Sequence, residues 1–195
     1  TAHESGSDFT LVPRYKTEEW RSWVYLRASK DFTGLREAKI QDSYAAYSRA
    51  IIMQEKISLG GAARVYLPLS QKSREERSLV TRLWVAPTLT LKNQFITGLS
   101  FRYRPSYRYS IYRYKTTSKR KVNKSHNSSH LLSADYSVSD KWSLNLTAVA
   151  STSWETTNNR STSYDLDQSV TYSFNEQTDL SLGHNNSGPA FKADG

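Results

Sequence analysis

Cysteine is missing from this 195-residue chain, which excludes disulfides and thiolate metal sites alike. No stretch comes near the roughly 18 consecutive apolar residues of a membrane-spanning helix. Apolar spacing at helical period is absent throughout, and no internal repeat exceeds the length of a hairpin. No leading segment has the layout of a signal peptide, so Thr1 reads as a mature N-terminus or as the edge of a longer chain. Methionine occurs once and proline five times. Acidic residues are in deficit, with 18 Asp and Glu against 27 Lys and Arg, a net charge of +9. Such an imbalance suits an anionic partner, or simply a well-solvated basic surface.

What the chain does have is alternation. In residues 140–154 (DKWSLNLTAVASTSW), Trp142, Leu144, Leu146, Ala148, Ala150, Thr152 and Trp154 share one parity. The other parity is nearly all polar, from Ser143 to Ser153. Side chains of a strand point to alternate faces, so this stretch has one apolar and one polar face. The same pattern marks residues 22–29, 44–52, 63–69, 79–89, 95–104, 107–114, 132–138, 164–174 and 179–184. That makes ten strands. Residues 8–15 add a candidate eleventh, and closure with both termini on one side needs an even count, which points to twelve. Turns are expected at 31–36, 70–77, Pro105-Ser106, 139–141 and 175–178. Longer connections are expected at 53–61, 115–129 and 155–161, with a short one at 90–93. Pro68 and Pro87 stand out as interruptions, because proline removes a ladder hydrogen bond.

Thirteen tyrosines and five tryptophans, whose rings have an apolar body and a polar tip, suit an interface. Trp142 and Trp154 stand about 28 Å apart along the normal of a membrane crossed by a strand tilted at 40–45°. That matches the height of an apolar band between aromatic girdles, to which Tyr164 and Phe174 would also belong. The expectation is therefore an all-β chain, residues 1–195 as one domain. It would form a closed antiparallel transmembrane β-barrel of about 10–12 strands, with short periplasmic turns and longer extracellular loops. Residues 1–19 would be an N-terminal segment with one possible strand, and 115–129 a basic extracellular loop.

In such a barrel the polar parity lines the lumen. Arg27, Arg49, Arg64, Arg82, Arg102, Arg104 and Arg108 form a basic wall, and Asp135, Asp165, Asp167 and Asp179 an acidic one. The functional expectation is a non-enzymatic, anion-biased, porin-like pore. Arginine forks would pass acidic solutes while Tyr25, Tyr66 and Trp84 stack on sugar rings. A filled barrel with arginines paired to aspartates is the competing arrangement. On the outward parity, Ala46, Ser48, Ala50, Ala134, Ala148 and Ala150 are small enough for barrel-to-barrel contact or simply tolerate lipid.

FRYRPSYRY at 101–109 resembles the arginine–tyrosine strands of small twelve-stranded outer-membrane porins for acidic oligosaccharides. LPLSQKSREERSLVTRL (67–83) and YSFNEQTDLSLGHNNSG (172–188) are similar to barrels of delta-proteobacteria and predatory bacteria. The second resemblance implies an alternative role, a non-conducting barrel that forms a homo-oligomeric ring and encloses lipid. Both imply the outer membrane of a Gram-negative bacterium, with membrane lipid, lipopolysaccharide and small anions as partners, no nucleic acid and no cofactor. A soluble basic β-domain binding nucleic acid is the non-membrane reading.

Two histidine motifs point weakly elsewhere. HNSSH (126–130) sits in a Lys/Ser/Asn stretch with no third ligand nearby, so no metal is expected. In GHNNSG (183–188), His184 and Ser187 fall on opposite strand faces, out of reach of each other for nucleophilic catalysis. The loop KTTSKRKVNK (115–124) has five basic residues and reads as a solvated loop or a phosphate-facing one.

Overall fold

The computed structural model describes residues 6–32, 38–94, 96–175 and 178–191. Parts of the expected turns at 31–36 and 175–178, Phe95, and the chain's first five and last four residues lie outside this set. The described chain is twelve strands and one short helical segment, Lys72–Glu76. The strands are β1 Gly6–Leu11, β2 Arg14–Lys16, β3 Trp20–Asp31, β4 Ala38–Ile40, β5 Ser43–Met53, β6 Ile57–Leu67, β7 Leu79–Lys92, β8 Leu99–Tyr112, β9 Lys124–Ser137, β10 Trp142–Glu155, β11 Arg160–Asn175 and β12 Thr178–Phe191.

All twelve strands join one antiparallel sheet. β1 and β2 share one flank of β3, and β4 and β5 share the other. The sheet is thus ten strand positions wide, not twelve: the segments 95–104 and 107–114 are one strand, β8, and the candidate at 8–15 supplies the first edge as β1 and β2. Neighbours in the chain are neighbours in the sheet from β5 to β12, as a meander of hairpins requires.

The expected closure does not occur. The strand order starts at β1 and ends at β12, and among the described residues these two edges do not pair with each other. The edges are poorly matched for pairing. The first is broken at Val12-Pro13 into pieces of six and three residues. The last is 14 residues long and contains Pro189, which has no N–H to donate. Without closure there is no lumen and no wall for a pore. The porin reading, the lipid-enclosing homo-oligomeric ring, the outer-membrane placement and the lipid, lipopolysaccharide and oligomer partners all rested on closure, and fall with it. So does the likeness to outer-membrane barrels. Among the described residues no helix is long and apolar enough to cross a membrane either.

Within the sheet the alternation is real. Leu144 stands beside Val170 and Tyr136, and Leu83 beside Val65 and Tyr109, so the apolar parities of successive strands share one face. No described element packs over that face. Leu182 is 79% exposed and Leu132 51%, whereas among the described residues the buried apolar side chains are Ala46, Leu79 and Ala86. Trp142 packs against Tyr172 at 4.7 Å, and Tyr172 meets Phe174 edge-on at 4.9 Å. Trp142 is thus a cross-strand partner at a hairpin end, where aromatic pairs add stability. Tyr164 is exposed on the same face.

Three local expectations change. Strand 44–52 lies in the opposite sense. Tyr44, Ala46, Ser48 and Ala50 share the face of Arg64, while Tyr47 and Arg49 share the apolar face. Its two parities are almost equally small and polar, so its neighbours decide its register. Ala46 and Ala50 therefore leave the small-residue outer face, and Arg49 leaves the basic wall to pair with Glu19 at 2.8 Å. The predicted turn at Pro105 is instead strand. Pro105 and Pro87 stand opposite each other where the β7–β8 ladder lapses between Val85–Tyr107 and Leu89–Tyr103. Each still pairs on its other flank, with His130 and Gly61. Two missing donors thus share one gap. Finally, HNSSH, expected within the 115–129 loop, lies in β9.

The connection 93–98 depends on Gly98, with φ +84°, whose N–H donates to Asn93 Oδ1 at 2.8 Å. A Cβ there would stand 2.6 Å from the Ser137 carbonyl oxygen. Gly98→Ala is expected to cost about 2–4 kcal/mol, from a left-handed backbone and a clash with main chain that cannot swing away. Urea denaturation of the two proteins checks this.

Candidate functional site

The polar face is ordered by two cross-strand rows. One runs Tyr25, Tyr44, Tyr66, Arg82, Ser110. The other runs Trp23, Ala46, Arg64, Trp84, Arg108, Asn127, Ser153. Because the strands pair in register, cations and rings fall side by side. Tyr25 stacks on Tyr44 at 5.0 Å, and Tyr44 meets Tyr66 at 5.4 Å. The Arg64 guanidinium sits 4.5 Å from the Trp84 ring and 5.1 Å from Tyr44, and Arg82 lies 5.6 Å over Tyr66. A cation over a ring face gains about 0.5–2 kcal/mol, more as water is excluded. Arg64 Nε is shielded from water with no hydrogen-bond partner, so ring contacts are its main compensation. Tyr25, Tyr44, Tyr66 and Trp84 thus each give at least one face to a neighbouring ring or an arginine, and these contacts support the guanidinium groups.

At one edge of the sheet two connections fold over these rows. Asp42, just before β5, anchors the first, residues 68–78. It accepts from the Ser70 N–H at 3.1 Å, from Ser70 Oγ at 2.7 Å and from Ser73 Oγ. Asn123 anchors the second, residues 113–123. Its buried amide donates to the Arg77 carbonyl at 3.1 Å and the Tyr114 carbonyl at 3.0 Å. The two connections are tied by Ser118 N–H to the Glu76 carbonyl at 2.8 Å, and by a Lys119–Glu76 ion pair at 3.3 Å. Leu79, turned onto this face by a bulge in the β7–β8 pairing, is buried here.

Beneath them is a cavity of about 550 Å³, within the size range of small-molecule sites. Half-buried Arg82 and Arg108 stand on the strands at its floor, with Ser110 accepting from Arg82 Nε at 3.1 Å. Lys72, Arg77, Lys119 and Lys121 line it from the connections, and Lys124 from the start of β9. Seven cationic side chains thus meet a single carboxylate, Glu76, which is already paired with Lys119. Burial, and then the like charge of Arg82, push the Arg108 guanidinium below its ordinary range. Neither arginine has a carboxylate within ion-pair distance among the described residues.

The sign of that shift matters. Folding weakens proton binding at Arg108, so its charged form opposes folding at every pH below its range, neutral pH included. Arg108→Gln is therefore expected to raise stability in the absence of anions. Water still reaches the group, which holds the gain to about 1 kcal/mol or less. Chemical denaturation at low salt measures it.

The other expected site residues scatter. Arg27 is exposed and paired with Asp8 at 2.9 Å, whose hydrogen bond raises the Arg27 pKa. Arg102 and Arg104 are exposed on the polar face of β8, outside the cavity. Asp135, Asp165, Asp167 and Asp179 share that face on β9, β11 and β12. They lie beside the basic half, not opposite it. Asp135 accepts from Asn145, and Asp165 from Asn185 at 2.6 Å, so amides take the place of arginines as their partners. Ala134, Ala148 and Ala150 remain on the apolar face. His126 and His130 take hydrogen-bond partners there, with Nδ1 of each engaged by Tyr107 and Tyr103 hydroxyls respectively.

Sequence reading missed Lys72, Arg77, Asn123 and the anchoring Asp42, since they come together only through the two connections. The five basic residues of 115–124 were the available signal. Compared with protein-family models, curated proteins and solved structures, the chain matches none of them.

Proposed function

We propose that this protein is a non-catalytic binding protein, and that it holds a small anion in the cavity between the β7–β8 floor and the connections 68–78 and 113–123. The observation that carries this reading is the pair Arg82 and Arg108, two half-buried guanidinium groups without carboxylate partners among the described residues. Guanidinium forks match phosphate and carboxylate oxygens, and hydrogen bonds to charged groups are about twice as strong as neutral ones. The single carboxylate of the lining is held by Lys119 and His126 Nδ1 is engaged by Tyr107, so the site offers mainly donors and positive charge. The aromatic rows keep Arg64 and Arg82 upright toward the ligand side of the sheet.

An anion that binds only the folded state stabilises it by mass action, by about 2.7 kcal/mol at a concentration 100 times its dissociation constant. Thermal melts with pyrophosphate are expected to rise with ligand concentration at constant ionic strength. Melts that follow ionic strength alone, whatever the anion, would reject the reading.

A further inference from the structure

We infer that the ligand is a polyphosphate, recognised by its chain of phosphoryl groups and not by any ring attached to them. This rests on the anion-binding reading above and goes on to its substrate class. The cavity has a graded charge. Its floor has the half-buried Arg82 and Arg108, and its rim the exposed Lys72, Lys121 and Lys124. Seven cations against one carboxylate leave a formal excess of six, far more than one monovalent carboxylate or a single phosphate offsets. A linear polyphosphate places successive charged groups at successive depths, one on the guanidinium floor and the next among the lysines.

Neutral recognition has little to work with. The Asn123 amide is spent on the Arg77 and Tyr114 carbonyls, and the Asn127 amide on the Thr152 carbonyl and Ser153 Oγ. A guanidinium lies over one face of Tyr66 and of Trp84, and at the lining the Tyr112 hydroxyl is spent on the Lys124 carbonyl and His126 Nδ1 is engaged by the Tyr107 hydroxyl. Charge density and reach select the ligand.

Isothermal titration calorimetry with inorganic phosphate, pyrophosphate, tripolyphosphate and adenosine triphosphate tests this at fixed ionic strength. Tripolyphosphate is expected to bind at least about 100-fold tighter than phosphate, from two or more added charge-assisted contacts. Adenosine triphosphate is expected within a few-fold of tripolyphosphate. Lys121→Met with Lys124→Met, two exposed rim positions whose loss leaves the sheet intact, should weaken tripolyphosphate at least about tenfold more than phosphate and so remove most of its advantage. Equal affinity for phosphate and tripolyphosphate overturns the inference and leaves a single-anion site. Adenosine triphosphate more than tenfold tighter than tripolyphosphate also overturns it, since a base would then be read. Heat from none of the four rejects the anion site itself.

Discussion

Replacing Arg82 and Arg108 together with alanine is expected to weaken pyrophosphate binding at least about 100-fold, each lost charge-assisted contact being worth roughly 1.5–3 kcal/mol. The double change removes the floor of the cavity without touching either connection. Ser110 loses its donor from Arg82, a small cost at a hydroxyl that can turn to another partner. The buried Arg108 charge that opposes folding leaves together with the Arg82–Tyr66 contact, so the variant should melt close to the parent in the absence of anions. The combination of lost binding and near-parent stability separates a ligand-holding role from a structural one. Direct titration of both proteins, with a denaturant melt of each, gives the two readouts. Loss of both binding and stability would mean that the arginines hold the sheet together instead.

Asp42→Ala is the second large effect, of about 3 kcal/mol. One half-buried carboxylate accepts three hydrogen bonds from Ser70 and Ser73, and Ser73 is itself buried. Removing the acceptor leaves those donors facing the protein, and an unsatisfied buried donor costs more than the bond returned. The damage should be local. The 68–78 connection would open, with Lys72, Glu76 and Arg77 released from the cavity, while β6 and β7 stay paired through Arg64–Trp84 and their neighbours. Hydrogen exchange should quicken at Arg74 and Arg77, whose N–H groups bond to the Ser70 and Lys72 carbonyls. Asp42→Asn keeps one acceptor oxygen and should recover about half of the loss. Fast exchange spread equally over β10–β12 would contradict this account of the anchor.

The sequence was legible wherever a strand had one clear apolar parity. β10 and β11 follow their pattern from Trp142 to Trp154 and from Tyr164 to Tyr172. It was illegible where the two parities are alike. In Tyr44–Ile52 both are small or polar, and the partner strands β3 and β6 set the sense. Pro105 read as a turn because a lone proline argues against a strand; that Pro87 sits opposite and shares the gap is a fact about two distant residues. The same distance hid the cavity. Arg82 and Arg108 were evident as polar-face arginines, but Asp42, Ser73, Asn123 and Leu79 come together only through the two connections and a bulge. Alternation shows how each strand presents its faces. It says nothing about whether the first and last strands meet, and here Pro13, Pro189 and a divided first edge stand at the open margins.

The most direct test of the central claim is to watch individual arginines by ¹H–¹⁵N NMR of their Nε–H groups as pyrophosphate is added. The account predicts saturable shifts at Arg82 and Arg108, which stand on the cavity floor without carboxylate partners among the described residues. Arg27 and Arg49, held by Asp8 and Glu19, should remain where they are. Shifts of equal size at all four would mean that pyrophosphate samples a basic surface without a site, and would contradict the account.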